Sequence, residues 1–251
     1  KKLTLTTAAE ENIHIFSGPD TEERFLTQIP ATYSNPATFE ERKKQALSER
    51  AIMEKRVACT IPDKNIQIFL NTWLKNQLYL TFRFVRSGFF GFRGTLRDTW
   101  GYTLLEPEMA RRFLVRTLSH VCHNGACPRN YSIINDQHDL RAFMDSGSWI
   151  AQTLVDYIKE TGDFQILNEP IPWLDSEKKS PLINHAWAAL DLLYQKRGRY
   201  GLCLTGDGDW NDALEGISRS GDAVSAWLTM ALFHAQNLMA ELFDYIGDRT
   251  R

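Results

Sequence analysis

Cysteine is scarce, with four residues in 251 (Cys59, Cys122, Cys127 and Cys203). So few, and so scattered, they exclude a disulfide-stapled scaffold, and a reducing, cytoplasmic setting is expected. Neither sign of charge prevails: 29 Lys and Arg face 31 Asp and Glu, for a formal net charge of -2. That balance leaves no electrostatic footprint for nucleic acid or for a membrane surface. No apolar run approaches the roughly 18–20 residues that a bilayer span needs. No basic-then-apolar leader opens the chain. A repeat of fixed period is also missing, which argues against a solenoid. So are G-x-S-x-G, a Walker loop and a Rossmann fingerprint, which argues against a serine hydrolase, a nucleotide enzyme and a dehydrogenase. What is present is a soluble-type composition, 43% apolar and 24% charged. Aromatics reach 12%, with seven tryptophans; they suit a thick core or a cleft with stacking faces.

Residues 1–36 differ from the rest. Lys1-Lys-Leu-Thr-Leu-Thr-Thr7 and Asn12-Ile-His-Ile15 alternate like strands, and Gly18-Pro19 and Asn35-Pro36 mark turns. A chain that starts directly in a strand reads as the end of a sheet whose other strands lie upstream. From Thr38 the pattern is helical. Phe39 to Arg56 is charged and breaker-free, a surface or linker helix. Ile66 to Val85 places Ile66, Phe69, Leu70, Trp73, Leu74 and Leu78 on an apolar stripe. Further helices are expected over Pro107 to Cys122, Ser146 to Thr161 (closed by Gly162), Pro181 to Arg197, and Ala223 to Ile246 (closed by Gly247). Long loops separate them, which usually signals function. The expected fold is mainly α: part of a helical toroid with its loops gathered into a polar, aromatic mouth.

The loops hold most of the chemistry. Arg86 to Asp98 carries three glycines with Arg93 and Asp98, a donor and an acceptor for sugar hydroxyls, or else a solvated turn. His120 to Cys127 mixes His and Cys, but its C-x4-C spacing and the lack of a second pair do not make a zinc knuckle; helix-end and loop packing fits better. Asp145 sits between apolar neighbours just before a helix. It can be a plain N-cap, or a carboxyl in an apolar pit whose raised pKa suits a general acid. Thr205-Gly-Asp-Gly-Asp-Trp-Asn-Asp212 falls short of a calcium-loop register. A sugar-binding loop fits it better, with Trp210 as stacking face and Asp209 and Asp212 accepting hydroxyl protons. His185 and His234 on helix faces read as core or rim histidines.

Trp73-Leu-Lys-Asn-Gln77, Arg86-Ser-Gly, Gly91-Phe-Arg93 with Asp98, Phe143-Met-Asp145 with Trp149, Lys159-Glu-Thr-Gly-Asp163, Glu169-Pro-Ile-Pro and Gly208-Asp-Trp-Asn-Asp212 follow one order. In that order and spacing they resemble glycoside hydrolase family 94, the inverting β-glycoside phosphorylases, from about Ile66 to the end. The resemblance implies an N-terminal β-sandwich ending over 1–36, a helical linker over 37–60, and the first part of an (α/α)6 barrel over 61–251. It puts Asp145 in the place of the catalytic acid. It gives Arg93 and Asp98 the glycosyl unit beside the broken bond, with Phe143, Trp149, Asp209, Trp210 and Asp212 lining the sugar site. Arg86 is the candidate for the phosphate site.

No cofactor and no metal are implied, only inorganic phosphate as co-substrate. The partners implied are a β-linked oligosaccharide and phosphate, in a possible homodimer, with neither nucleic acid nor membrane. Ser146 stands where the family usually has a second Asp, and Gly94 where many members have Asp. Both departures lean toward the β-1,2-oligoglucan branch. The family's phosphate-binding His and Thr-Gly, and its Lys-Glu pair, are expected downstream of Arg251.

The reaction so implied is phosphorolysis. Asp145 protonates the leaving oxygen and phosphate attacks from the opposite face, giving an α-sugar 1-phosphate. Two other readings compete. One is an inverting hydrolase with Asp209 or Asp212 as base, which needs two carboxyls about 6.5–9.5 Å apart. The other is a non-catalytic carbohydrate-binding toroid.

Overall fold

The computed structural model describes residues 28, 35–83, 88–132, 135, 137–211 and 220–250. The strands expected over Lys1–Thr7 and Asn12–Ile15 lie outside them. The chain divides into two units, 1–55 and 56–251. In the first, helix α1 (Pro36–Lys55) is almost wholly exposed. Its sequence explains that: charged residues are spread around every face, and Glu40–Lys43 and Arg50–Glu54 pair along the surface at 3.3 and 3.2 Å.

The second unit is built from helices. A short α2 (Lys64–Ile68), capped by the Asp63 carboxylate, runs through a π-helical turn (Phe69–Leu74) into α3 (Lys75–Arg83). The apolar stripe of this helix is largely solvent-facing. Ile66, Phe69, Trp73 and Leu74 are exposed, with Phe69 and Trp73 stacked at 4.9 Å. Next come α4 (Phe92–Tyr102), α5 (Pro107–Leu118), α6 (Ser146–Thr161), α7 (Leu182–Gln195) and α8 (Ala226–Ile246). Helix α4 corrects the sequence reading, which left 86–98 as a loop. Gly94 and Gly101 weaken local propensity, yet Leu96, Thr99 and Tyr102 bury one face completely and tertiary packing prevails.

Helix ends follow their residues. Pro107 opens α5 with Glu108 in its first turn, and Gly162 and Gly247 close α6 and α8 in the left-handed conformation. Helix α6 is the hub, packing on α4, α5, α7 and α8. Alternate helices lie side by side, α4 with α6 and α6 with α8, while α5 also meets α7. Leu96, Leu114, Leu118, Ile150, Leu154 and Leu182 have no exposed surface. Each contributes about 1.5–3 kcal/mol by burial. Among the described residues no helix is long and apolar enough to cross a membrane.

Short strands stitch the loops. β1 (Phe89–Gly91), β2 (Asn130–Ser132) and β3 (His138–Asp139) form one antiparallel sheet, with Gly91 opposite Asn130 and Tyr131 opposite His138. β4 (Pro170–Trp173) and β5 (Ser176–Pro181) make a hairpin that leads into α7. β6 (Cys203–Leu204) pairs with β7 (Val224–Ser225) at the start of α8. Together the sheets bring the N-terminal ends of α4, α6 and α8 to one place.

Candidate active site

Four polar residues join those three helix starts. Arg93, in the first turn of α4, reaches Asp145 at the head of α6: its Nη1 donates to Oδ2 at 3.0 Å. The same nitrogen donates to the backbone carbonyl of Asp209 at 3.0 Å. The Asp209 carboxylate accepts from Ser225 Oγ at 2.7 Å, and Ser225 in turn caps α8 through Leu228 N–H. Trp149, one turn into α6, adds its indole N–H to Asp145 Oδ2 at 2.9 Å.

Asp145 is 0% exposed, and its Oδ1 is buried with no hydrogen-bond partner. It occupies the N-cap position without capping: its own backbone is already helical and its side chain bonds no helix N–H. The cap reading therefore gives way to the buried-carboxyl reading. Burial pushes its pKa above the usual carboxylate value, against the opposing pull of the Arg93 charge and of hydrogen bonds from Arg93 and Trp149.

Glycines allow this closeness. A Cβ on Gly208 would lie 2.7 Å from the Phe143 ring, and Gly206 adopts φ +59° against the Ala142 carbonyl. The 205–209 loop therefore lies flat on 142–144: Met144 N–H donates to Gly208 O at 3.0 Å and Asp207 N–H to Ala142 O at 2.9 Å. A Cβ on Gly147 would meet the Ala189 carbonyl at 2.6 Å, so α6 starts hard against α7.

The pocket in front of Asp145 has a volume of ≈ 240 Å³ and is lined by Arg93, Arg97, Arg129, Asn130, Phe143 and their neighbours. Phe143 is buried under the Arg129 guanidinium, 4.5 Å from ring to cation. A second cleft of ≈ 280 Å³ carries Trp100, Trp149, Trp227, Gln152 and His234. Trp149 also borders the first pocket through Arg97, whose guanidinium lies 5.5 Å over its ring. Trp210 is 52% exposed and leans on Trp227 at 5.8 Å.

The structure thus brings together Arg93, Asp145, Phe143 and Trp149, with Trp210 near the second cleft. It sets Asp98 apart. Five residues after Arg93, Asp98 points to another side of α4, at 100° per residue, and does not line the pocket; burial raises its pKa, with Arg97 opposing. The carboxylates of 205–211 are already engaged. Asp207 holds Ala142 N–H at 2.7 Å, and Asp209, 4% exposed, is taken up by Ser225 and by Asn211 N–H at 2.9 Å. Asp209 also meets Arg93 through its backbone carbonyl. Arg86 and Asp212 lie outside the described residues.

Arg97 and Arg129 were missed by the sequence reading. The i, i+4 spacing from Arg93 would have revealed Arg97 once α4 was recognised; nothing local marks Arg129. His120 stacks on Tyr131 at 4.0 Å and shares a hydrogen bond with His138 at 3.0 Å. Burial, with His138 and Arg116 nearby, lowers its pKa to about 4. Burial pushes the Cys127 thiol up. His185 is a core residue: Nδ1 donates to Leu118 O at 3.1 Å and the ring stacks on Trp173. Exposed His234 bonds Gln152 at 2.6 Å on the rim of the tryptophan cleft.

An acid buried beside arginines, with a tryptophan-lined cleft next to it, has the make-up of a small-molecule site. The chain belongs to the glycosyl hydrolase 94 superfamily: its catalytic domain matches residues 51–251. It is 31% identical over 240 residues to solabiose phosphorylase of Paenibacillus borealis, covering 96% of this chain and 31% of that protein. To the 3-O-beta-D-glucopyranosyl-beta-D-glucuronide phosphorylase of the same organism it is 29% identical over 198 residues, 74% of this chain and 25% of that one. To cellobionic acid phosphorylase of Neurospora crassa it is 27% identical over 257 residues, 98% and 32% of the two chains. The chain spans about a third or less of the length of these relatives.

Proposed function

We propose that the protein carrying this chain cleaves a β-linked gluco-oligosaccharide with inorganic phosphate, inverting the anomeric centre. Asp145 gives its proton to the glycosidic oxygen as the bond to the anomeric carbon breaks. Phosphate forms its bond to that carbon from the opposite face, and the product is an α-sugar 1-phosphate. One observation carries the reading: a fully buried carboxyl with a free oxygen, raised pKa and a fixed orientation, at a pocket wide enough for a sugar ring. Phosphate is already anionic, so a single acid suffices and no second carboxyl need activate water. Arg93 and Trp149 fix Oδ2, which leaves Oδ1 to carry the proton. Arg86 is proposed for the phosphate; Asp98, which does not line the pocket, is given no sugar contact. Alternate-helix packing supports an arc of an (α/α)6 barrel over 61–251, with 1–36 as sandwich end and 37–60 as linker. The hydrolase reading with Asp209 as base is disfavoured, because that carboxylate is buried and already bonded.

A second reading has its own observation. Two donors, one of them a guanidinium, converge on Asp145 Oδ2, an environment that also suits an ionised carboxylate. Asp145 would then anchor Arg93 and Asp212 would donate the proton. Rates of sugar 1-phosphate formation in Asp145→Asn and Asp212→Asn separate the two. The acid's variant loses about 10²–10⁴-fold on the natural disaccharide. It recovers much of that on a β-glucoside whose leaving group departs without a proton; the anchor's variant does not recover. Formation of sugar phosphate only when phosphate is added supports phosphorolysis, and free glucose without it contradicts it.

A further inference from the structure

We infer that Ser225 and Asp209 are positioning residues of this site: from the start of α8 they set where Arg93 holds the Asp145 carboxyl. The inference deepens the phosphorolysis reading, on which its kinetic consequence rests. Neither residue is among the described residues that line the pocket beside Asp145, so both act through Arg93 rather than on the sugar.

The link is a run of three contacts. Arg93 Nη1 divides its hydrogens between Asp145 Oδ2 and the Asp209 carbonyl, each at 3.0 Å. A guanidinium nitrogen carries two hydrogens in one plane, so the two acceptors together fix its direction. The Asp209 carboxylate is held in turn by Ser225 Oγ at 2.7 Å, a short, charge-assisted contact, and by Asn211 N–H at 2.9 Å. Ser225 has a single hydroxyl hydrogen. Its oxygen accepts Leu228 N–H at 3.1 Å, which leaves that hydrogen aimed at Asp209. Pairing with Cys203 in the β6–β7 ladder fixes the Ser225 backbone.

A loop that only needed closing would not bury a carboxylate, which costs desolvation unless it is well bonded. Asp209 is 4% exposed, and its carboxylate stands at the positive end of α8. Side chain and carbonyl belong to one residue, so what holds the first sets the second. Without the Ser225 hydroxyl, Oδ2 is left buried and short of its donor. The residue then turns toward water, and its carbonyl leaves Arg93 Nη1.

The test uses the intact protein with Ser225→Ala, Ser225→Thr and, as a control, Asp63→Ala, which removes the cap of α2. Serine and its replacements are uncharged, so a change at Asp145 must travel through geometry. The Asp145 carboxyl is titrated by carbon-13 NMR well below the melting temperature. Burial holds its pKa up and Arg93 pulls it down. Loosening Arg93 in Ser225→Ala should therefore raise the midpoint by about half a pH unit or more. Ser225→Thr keeps the hydroxyl and should stay near wild type, and Asp63→Ala should not move the midpoint. In turnover, Ser225→Ala should lose about tenfold in kcat with KM within about a factor of two, and the alkaline limb of its pH profile should move up with the midpoint. If Ser225→Ala does not fold, Ser225→Cys, a weaker donor, gives the same reading at smaller amplitude. An unchanged midpoint in the folded variant overturns the inference. So does an equal rise in Ser225→Thr or in Asp63→Ala, which assigns the effect to packing or to lost stability. Failure of the phosphorolysis reading shows differently, as the stated midpoint shifts with no sugar 1-phosphate from any donor.

Discussion

The two ends of helix α6 carry acids of opposite character. At its head Asp145 is sealed from solvent and its pKa is raised, because burial outweighs Arg93 and Trp149. Just past its foot, burial also pushes Asp163 up, but hydrogen bonds from Tyr157 and Arg111 and the Arg111 charge prevail, and its pKa is lowered. Asp163 Oδ2 accepts from Tyr157 at 2.9 Å and Arg111 Nε at 2.9 Å, while Arg111 Nη2 reaches Glu169 at 3.0 Å. Both acids have an arginine and an aromatic donor, so the partners do not decide the difference. Solvent does: the half-buried acid keeps its charge cheaply, whereas the sealed one gains by holding a proton. One end of the helix fastens α5 to α6, and the other holds a carboxyl of raised pKa at the wall of a pocket.

The largest effect should come from the head. Asp145→Asn is expected to lower kcat/KM for phosphorolysis by about 10²–10⁴-fold, whereas Arg111→Met leaves it within a factor of a few; assays of sugar 1-phosphate release compare them. Next is the loop that seals the site. Gly208→Ala forces a methyl into the Phe143 ring and is expected to cost about 1–3 kcal/mol, read by denaturant unfolding, together with part of the activity.

The pH dependence of stability should then separate the two acids by sign. The folded-state pKa of Asp145 lies above its ordinary 3.8, so stability from that group is full below that value and is lost as pH rises through the raised one. Asp145→Asn cannot ionise. It should melt above wild type at pH 8, with the gain shrinking toward acid. Asp163 is depressed, so its contribution is present above 3.8 and is lost as pH falls through the lower folded value. Asp163→Asn should melt below wild type at neutral pH, with the deficit fading in acid. The smallest effect is that of Arg111→Met on stability, about 1 kcal/mol for a pair partly exposed on both sides. Melting curves across pH test all three.

How far the residues spoke for themselves follows from local physics. The helices at Pro107, Ser146 and Ala226 were legible because each had a cap or proline and a 3.6-residue stripe. Helix α4 was not, since its glycines mask a face that only tertiary contact reveals. Strands of two or three residues, such as His138–Asp139, are too short to alternate. At the site Arg93 and Asp145 were each found by motif, but their pairing spans 52 residues and could not be read from either. The 205–209 acids could not be read from the loop alone, because their partners, Ala142 N–H and the Ser225 hydroxyl, lie 65 and 16 residues away in sequence.

Titration of the Asp145 side-chain carboxyl by carbon-13 NMR, with Asp145→Asn to assign the resonance, bears most directly on its proposed role as proton donor. A midpoint clearly above 3.8 is expected. A midpoint at or below that value would make Asp145 a permanent partner of Arg93 and take the reacting proton away from it.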